Sequence, residues 1–133
     1  MYNLIRDCNG VKYRLLRDDK IREFVLDVAN AEWEPHDFED YGDDLQHSVW
    51  ELREVELEQI EPNEELLASP NFQEDLKPRI AEIKALLQNA QAIPPLILRG
   101  SDFLIFDGYA RYQAFKDLGI RKCLAYVGMR NPT

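Results

Sequence analysis

The chain has 133 residues, 45% of them hydrophobic, which suffices for one cored domain and excludes global disorder. Its net charge of -9, from 25 acidic and 16 basic side chains, opposes a phosphate backbone, so the chain by itself is not expected to bind duplex DNA. The apolar runs are too short to span a bilayer and the first residues lack a basic-then-apolar leader, so a cytoplasmic protein without membrane association is expected, with Cys8 and Cys123 as ordinary reduced thiols.

Residues 2–16 read as a β-hairpin turning on Asn9-Gly10, because both central positions of such a turn need positive φ. Asp18 or Asp19 is placed to cap a helix reaching Asn30, with Ile21, Phe24, Val25 and Val28 on one face. In residues 32–44, seven of thirteen side chains are acidic, and Trp33, Phe38 and Tyr41 lie among them. Pro35 and Gly42 interrupt regular structure, so this segment is expected to be an exposed acidic loop. Two readings stay open for it: a solvated connection, or a docking surface or nucleic-acid mimic. His36 and His47 have no recurring ligand spacing, and no metal is expected there.

In residues 49–60, Val55, Leu57 and Ile60 alternate with Glu54, Glu56 and Glu58, as in a half-buried strand that Pro62-Asn63 ends. A short helix over 64–68 is expected next, then the break Ser69-Pro70. A second helix is expected to start near Lys77-Pro78 and to bury Ile80, Ile83, Leu86 and Leu87. Pro94-Pro95 forbids helix, so residues 96–98 are a strand, followed by a turn at 99–102. The unbroken apolar run at 103–106 suits an interior strand covered on both faces. Asp107-Gly108 breaks it, a helix runs over 109–118, Gly119 caps that helix, and a short strand at 122–127 closes the pattern.

The turn Asp107-Gly108-Tyr109-Ala110-Arg111 carries the chemistry. A helix that begins directly after a glycine turn points its free first-turn N–H groups outward and adds the positive end of its dipole. Arg111 on that first turn adds a fork of donors, a combination suited to a phosphate or carboxylate. Between Arg99 and Arg130, six basic residues (Arg99, Arg111, Lys116, Arg121, Lys122, Arg130) face three acidic ones, which gives +3 and leaves -12 elsewhere, so a local anion site fits inside an acidic protein. Each residue also has a plain structural role. Arg111 is placed either to bind a ligand or to pair with Asp107 or a helix-end carboxylate, Asp107 to cap the helix, and Tyr109 to serve either as a base-stacking lid or as a surface aromatic.

The motif order is Val55-x-Leu57-x-x-Ile60-x-Pro62-Asn63, then Ile93-Pro94-Pro95-Leu96-Ile97-Leu98. Phe103-Leu104-Ile105-Phe106-Asp107-Gly108-Tyr109-Ala110-Arg111-Tyr112-Gln113-Ala114 follows, and Leu118-Gly119-Ile120 completes it. Over residues 51–128 this resembles the ParB N-terminal-like and sulfiredoxin superfamily. The resemblance implies an α+β fold, a small mixed sheet flanked by helices. To this the chain adds an N-terminal β-hairpin plus helix extension with the acidic loop, residues 1–48, ahead of a ParB-like domain at 49–133. In ParB proteins the corresponding turn contacts the phosphates of CTP, and in sulfiredoxins it binds ATP phosphate and carries a reactive cysteine. Here Tyr109 and Ala110 follow Gly108, so sulfiredoxin chemistry is not expected. The second nucleotide contact of ParB proteins contains arginine, whereas Pro62-Asn63 here precedes Glu64-Glu65.

The resemblance thus implies a stand-alone ParB-like module. It would bind a nucleotide, such as a nucleoside triphosphate with magnesium, or another phosphate ligand at Asp107, Gly108, Tyr109, Ala110 and Arg111, and act through a protein partner. The rival reading is a non-enzymatic adaptor, antitoxin-like, that uses the acidic loop. A nucleotide hydrolase or nuclease is the third class, and no catalytic residue or metal cluster is readable for it.

Overall fold

The computed structural model describes residues 3–130. Strands β1 (Asn3–Cys8) and β2 (Val11–Leu16) form a hairpin. Its turn places Asn9 at φ 51° and Gly10 at φ 83°, the conformation that Asn-Gly favours. Helix α1 (Asp18–Glu32) buries Ile21, Val25 and Ala29, one stripe at helical spacing. Neither aspartate caps it: Arg17 occupies the cap position without a side-chain bond, and Asp18 and Asp19 sit inside the first turn, where they complement the helix dipole.

The acidic segment is not a loop. Helix α2 (Pro35–His47) begins there, with Pro35 in its first turn, where a missing N–H costs nothing. Glu34 and Asp37 form a reciprocal capping box. Phe38, Tyr41 and Leu45 recur at helical spacing: Leu45 is buried, and the exposed ring of Phe38 and the half-buried ring of Tyr41 meet Trp33 edge-on at 5.3 and 6.1 Å. Gly42 lies within the helix, and its cost of about 1 kcal/mol is overridden by that packing.

Strand β3 (Ser48–Glu56) follows at once and ends in a single 3₁₀ turn at Leu57–Gln59. Asn63 caps helix α3 (Glu64–Leu67), its side chain accepting from the N–H groups of Glu65 and Leu66. Helix α4 (Pro70–Gln88) starts earlier than the Lys77-Pro78 signal predicts. Ser69 caps it and Pro70 takes the first helical position, so Pro78 sits inside and leaves the Glu74 carbonyl without its helical N–H. Of its side chains Leu76 is fully buried, whereas Ile80, Ile83, Leu86 and Leu87 are half-buried.

Strands β4 (Leu96–Arg99), β5 (Ile105–Asp107) and β6 (Lys122–Arg130), with helix α5 (Tyr109–Asp117) between the last two, complete the fold. The sheet order is β3-β6-β4-β5, antiparallel except for the parallel β4–β6 pair. This is the α+β architecture expected, a mixed sheet flanked by helices, with a hairpin and helix before it. Two strands differ from expectation. β6 is long, not short, and is one of the two interior strands, buried from Cys123 to Gly128. The run at 103–106 is not an interior strand: β5 holds three residues at the sheet edge, and Phe103 adopts φ 60°. Glu61 closes that edge by donating to the Phe103 carbonyl and accepting from the Ile105 N–H, each at 3.0 Å, so the backbone is satisfied on both sides without a fifth strand.

Side chains on the two sheet faces form two clusters. The hairpin (Cys8, Val11, Tyr13, Leu15) packs with Val55, Ile93, Leu98, Phe115 and Val127. Helix α1 and Leu45 pack with Trp50, Ile97 and Tyr126. Gly128 is fixed by this second cluster, because a Cβ there would stand 2.7 Å from the Trp50 ring. Gly128→Ala is therefore expected to destabilise the protein by roughly 1–3 kcal/mol through overpacking. Urea denaturation measures it, and an unchanged midpoint refutes this account of the Trp50–Gly128 contact.

Candidate functional site

The site is built where β5 gives way to α5. Gly108 occupies the cap position at φ 114°, a conformation that L side chains rarely adopt. Space reinforces the choice: a Cβ at Gly108 would lie 2.2 Å from Leu96 Cδ2 and 2.9 Å from Arg111 Nη2. Helix α5 therefore starts immediately after the strand, as expected, and its first N–H groups have no partner within the helix. Ala110 is buried beneath this turn.

Arg111 folds back on its own turn. Its Nη2 donates to Asp107 Oδ2 at 2.9 Å and to the Pro95 carbonyl at 3.4 Å, and the side chain is only 14% exposed. Its Nε is buried with no partner among the described residues. Asp107 is thus the partner of Arg111 and not the helix cap. Tyr109 is neither a free lid nor a surface aromatic. Its hydroxyl accepts the Asn63 N–H at 2.9 Å, and its ring meets Phe72 edge-on at 5.2 Å, which ties the turn to α3 and α4. Burial pushes that hydroxyl up to about 12.

All five residues line one groove of about 590 Å³. Its other walls are not legible from the Gly-x-x-Arg motif. The α1–α2 junction contributes Trp33, Asp37 and Tyr41, and α4 contributes Phe72, Arg79 and Glu82. Phe106 is the hinge of this wall: it packs edge-on against Trp33 at 5.2 Å, and its carbonyl accepts the Trp33 indole N–H at 3.5 Å. The signal that would have found the wall is the spacing of Phe38, Tyr41 and Leu45 in the acidic segment. The groove carries six carboxylates (Glu32, Glu34, Asp37, Glu65, Glu82, Asp107) and two guanidinium groups (Arg79, Arg111).

The basic residues of the C-terminal stretch do not gather at the turn. Arg99 binds Asp102 at 2.7 Å and Asp44 at 3.4 Å, and it lies over the Tyr41 ring. Arg99 in turn holds the Asp102 carboxyl below its usual range. Arg130 also pairs with Asp44, at 3.0 Å. Lys116, Arg121 and Lys122 line a separate depression with Glu56 and Glu58, beyond the far end of α5.

Neither cysteine belongs to the groove lining. Both are free and buried, Cys123 within β6, where burial pushes its thiol up to about 12. Among the described residues no three His, Cys, Asp or Glu side chains group to hold a metal ion, and no helix is long and apolar enough to cross a membrane.

The solved structures similar to this chain include two ParB N-domains. One is a pNOB8-like ParB N-domain in its C2221 crystal form, with 23% identity and a TM-score of 0.45 over 63% of this chain and 32% of that one. The other is a pNOB8-like ParB N-domain, with 28% identity and a TM-score of 0.38 over 60% of this chain and 28% of that one. Both are ParB N-domains, the family that the motif order resembles. The present chain spans about a third of their length. No family model matches the chain, and no curated protein does.

The buried hydroxyl and thiol groups set the alkaline behaviour. Tyr109 and Cys123 have folded values near 12, above their usual 10.0 and 9.0, and burial also raises Tyr13 and Tyr126. A raised value means that the folded state favours the protonated form. That stabilisation is complete below the unfolded value and is lost as pH rises through the folded one. Urea midpoints should therefore be insensitive to these groups at neutral pH, fall from about pH 9 as the thiol contributes, and fall faster above about pH 10. A midpoint constant to about pH 11 refutes the burial of these groups.

Proposed function

We propose that this chain is a non-catalytic, protein-binding module whose working surface is the groove at the Gly108 turn, and that the occupant is a partner segment bearing lysine or arginine. The observation that carries this reading is the charge of the groove. With Asp107 and Arg111 engaged to each other, and Glu34 and Asp37 engaged in capping α2, three further carboxylates (Glu32, Glu65, Glu82) face the single guanidinium of Arg79. A concave wall of one sign concentrates ligands of the other. The aromatic rings of Trp33, Tyr41 and Phe72 add faces on which a cation can rest. Asp44, turned inward to Arg99 and Arg130, belongs to the framework rather than to the docking surface, while Glu39, Asp40 and Asp43 are exposed on the outer side of α2. The same charge argues against duplex DNA as a partner.

A second reading keeps the phosphate ligand, with or without a nucleoside and magnesium, at Asp107, Gly108, Tyr109, Ala110 and Arg111. What favours it is the free start of α5 together with the unpartnered Nε of Arg111. This ligand requires Arg111 to exchange Asp107 for the anion.

Calorimetric titration separates the two readings. The probes are a peptide rich in lysine and arginine, and nucleoside triphosphates with magnesium, each added to wild type, to Glu65→Lys/Glu82→Lys and to Arg111→Ala. The first reading expects peptide binding that weakens at least about tenfold in the double variant and falls with added salt, and it expects no nucleotide binding. Nucleotide binding to wild type that drops roughly ten- to a hundredfold in Arg111→Ala decides for the phosphate. Peptide binding indifferent to the double variant overturns the groove as the docking site.

A further inference from the structure

Strand β3 is the outer strand of the sheet and pairs on one side only, with β6. Which of its backbone groups face outward follows from the register. Leu57, one residue past the strand, donates its N–H to the Arg121 carbonyl at 2.8 Å, and this pair continues the register that runs from Ser48↔Arg130 to Glu56↔Lys122. In an antiparallel ladder every second pair exchanges both hydrogen bonds. Odd-numbered residues of β3 therefore bond to β6, and even-numbered ones aim away from it. The Ser48 carbonyl fits this parity, since it accepts from Arg22 Nη1 at 3.4 Å outside the sheet. The outward groups of Trp50, Leu52 and Glu54 have no hydrogen-bond partner among the described residues.

A row of unpaired groups on an extended strand is a template for another strand. Here the side chains say which strand. Glu51 and Arg53 project from the same face of β3, both about half exposed, 3.1 Å apart. We propose that two copies of this chain join through β3, antiparallel about a two-fold axis at Leu52, so that the two four-stranded sheets become one.

In that register Leu52 faces Leu52 of the second copy, and Trp50 faces Glu54, which brings the outward N–H and C=O groups into bonding pairs. Glu51 of each copy then stands opposite Arg53 of the other. Four charges of alternating sign lie across the axis, each within reach of two opposite neighbours. The backbone parity also allows a shift by two residues in either direction. One shift sets Glu51 against Glu51 and the other sets Arg53 against Arg53, and like charges directly opposite are unfavourable. The pattern is thus complementary to itself in one centred register, which is what a two-fold interface requires. A uniformly acidic or basic foreign strand satisfies only one of the two residues. β3 lies at the opposite edge of the sheet from β5 and the Gly108 turn, so this pairing leaves the groove at that turn open.

Sedimentation equilibrium of the full chain, from low micromolar to near-millimolar concentration, tests the pairing. Wild type should dimerise reversibly. Glu51→Arg and Arg53→Glu should each raise the dissociation constant at least about tenfold, because two attractive cross-strand pairs become repulsive. The double variant Glu51→Arg/Arg53→Glu should restore wild-type association, since the pairs re-form with signs exchanged. Both residues are exposed, and circular dichroism checks that each variant is folded. A chain monomeric throughout, a dimer indifferent to the single reversals, or a folded double variant that fails to recover overturns the proposal.

Discussion

Burial of β6 on both faces governs the rest of the molecule. Cys123, Ala125 and Val127 enter one cluster and Tyr126 the other, so the two cores meet across a single strand. A strand covered this way must have its backbone paired on both edges. β3 and β4 do that, one antiparallel and one parallel. Tyr126 extends the coupling through its hydroxyl, which accepts the Leu16 N–H at 3.1 Å and ties the hairpin's end to the sheet. Ile93 does the same from the other direction, exchanging backbone hydrogen bonds with Lys12 and Arg14. The N-terminal hairpin is thereby clasped at two points to elements far along the chain.

The functional turn inherits its shape from that core. Leu96, buried in β4, closes the space over Gly108, and the Pro95 carbonyl receives Arg111. The position of Arg111 is therefore set by the strand that pairs with β6 as much as by its own helix. Charge is distributed with similar economy. Asp44 joins Arg99 and Arg130, and Asp102 completes the first of these pairs, so the acidic helix is fastened to the basic stretch of the sheet. Partly buried pairs of this kind are screened less by salt than exposed ones.

Local chemistry was legible and remote partnership was not. Asn9-Gly10, Pro94-Pro95 and Asp107-Gly108 each impose a backbone conformation through their own covalent structure, and the hairpin, β4 and the start of α5 lie where the sequence places them, whereas the strand before Asp107 is shorter and lies at the sheet edge. The acidic segment reads as a loop because its charge and proline are local signals, whereas the helical spacing of Phe38, Tyr41 and Leu45 gains its meaning only from the rings and strands it packs against. The ring that stabilises this helix, Phe106, lies on another strand and sends no local signal. Pro78 misled for a related reason. Ser69-Pro70 is the stronger start, and a helix packed along one side tolerates an interior proline. The five residues of the turn were identified as one unit, and they do line one groove. The pairing of Arg111 with Asp107 was foreseen as one of two alternatives, but the carboxylate walls come from α1, α2, α3 and α4, which the motif does not address.

The interior position of β6 also bears on how the polypeptide acquires its shape. Both neighbours of β6 are made before it on the ribosome, and neither β3 nor β4 pairs with the other. Until residues 122–130 emerge, β3 and the apolar Leu96-Ile97-Leu98 segment lack their common partner. Helices α1 and α4 can form early from local contacts, but the sheet waits for its last member. Such long-range closure slows folding and lengthens the interval in which strand edges are open to wrong partners.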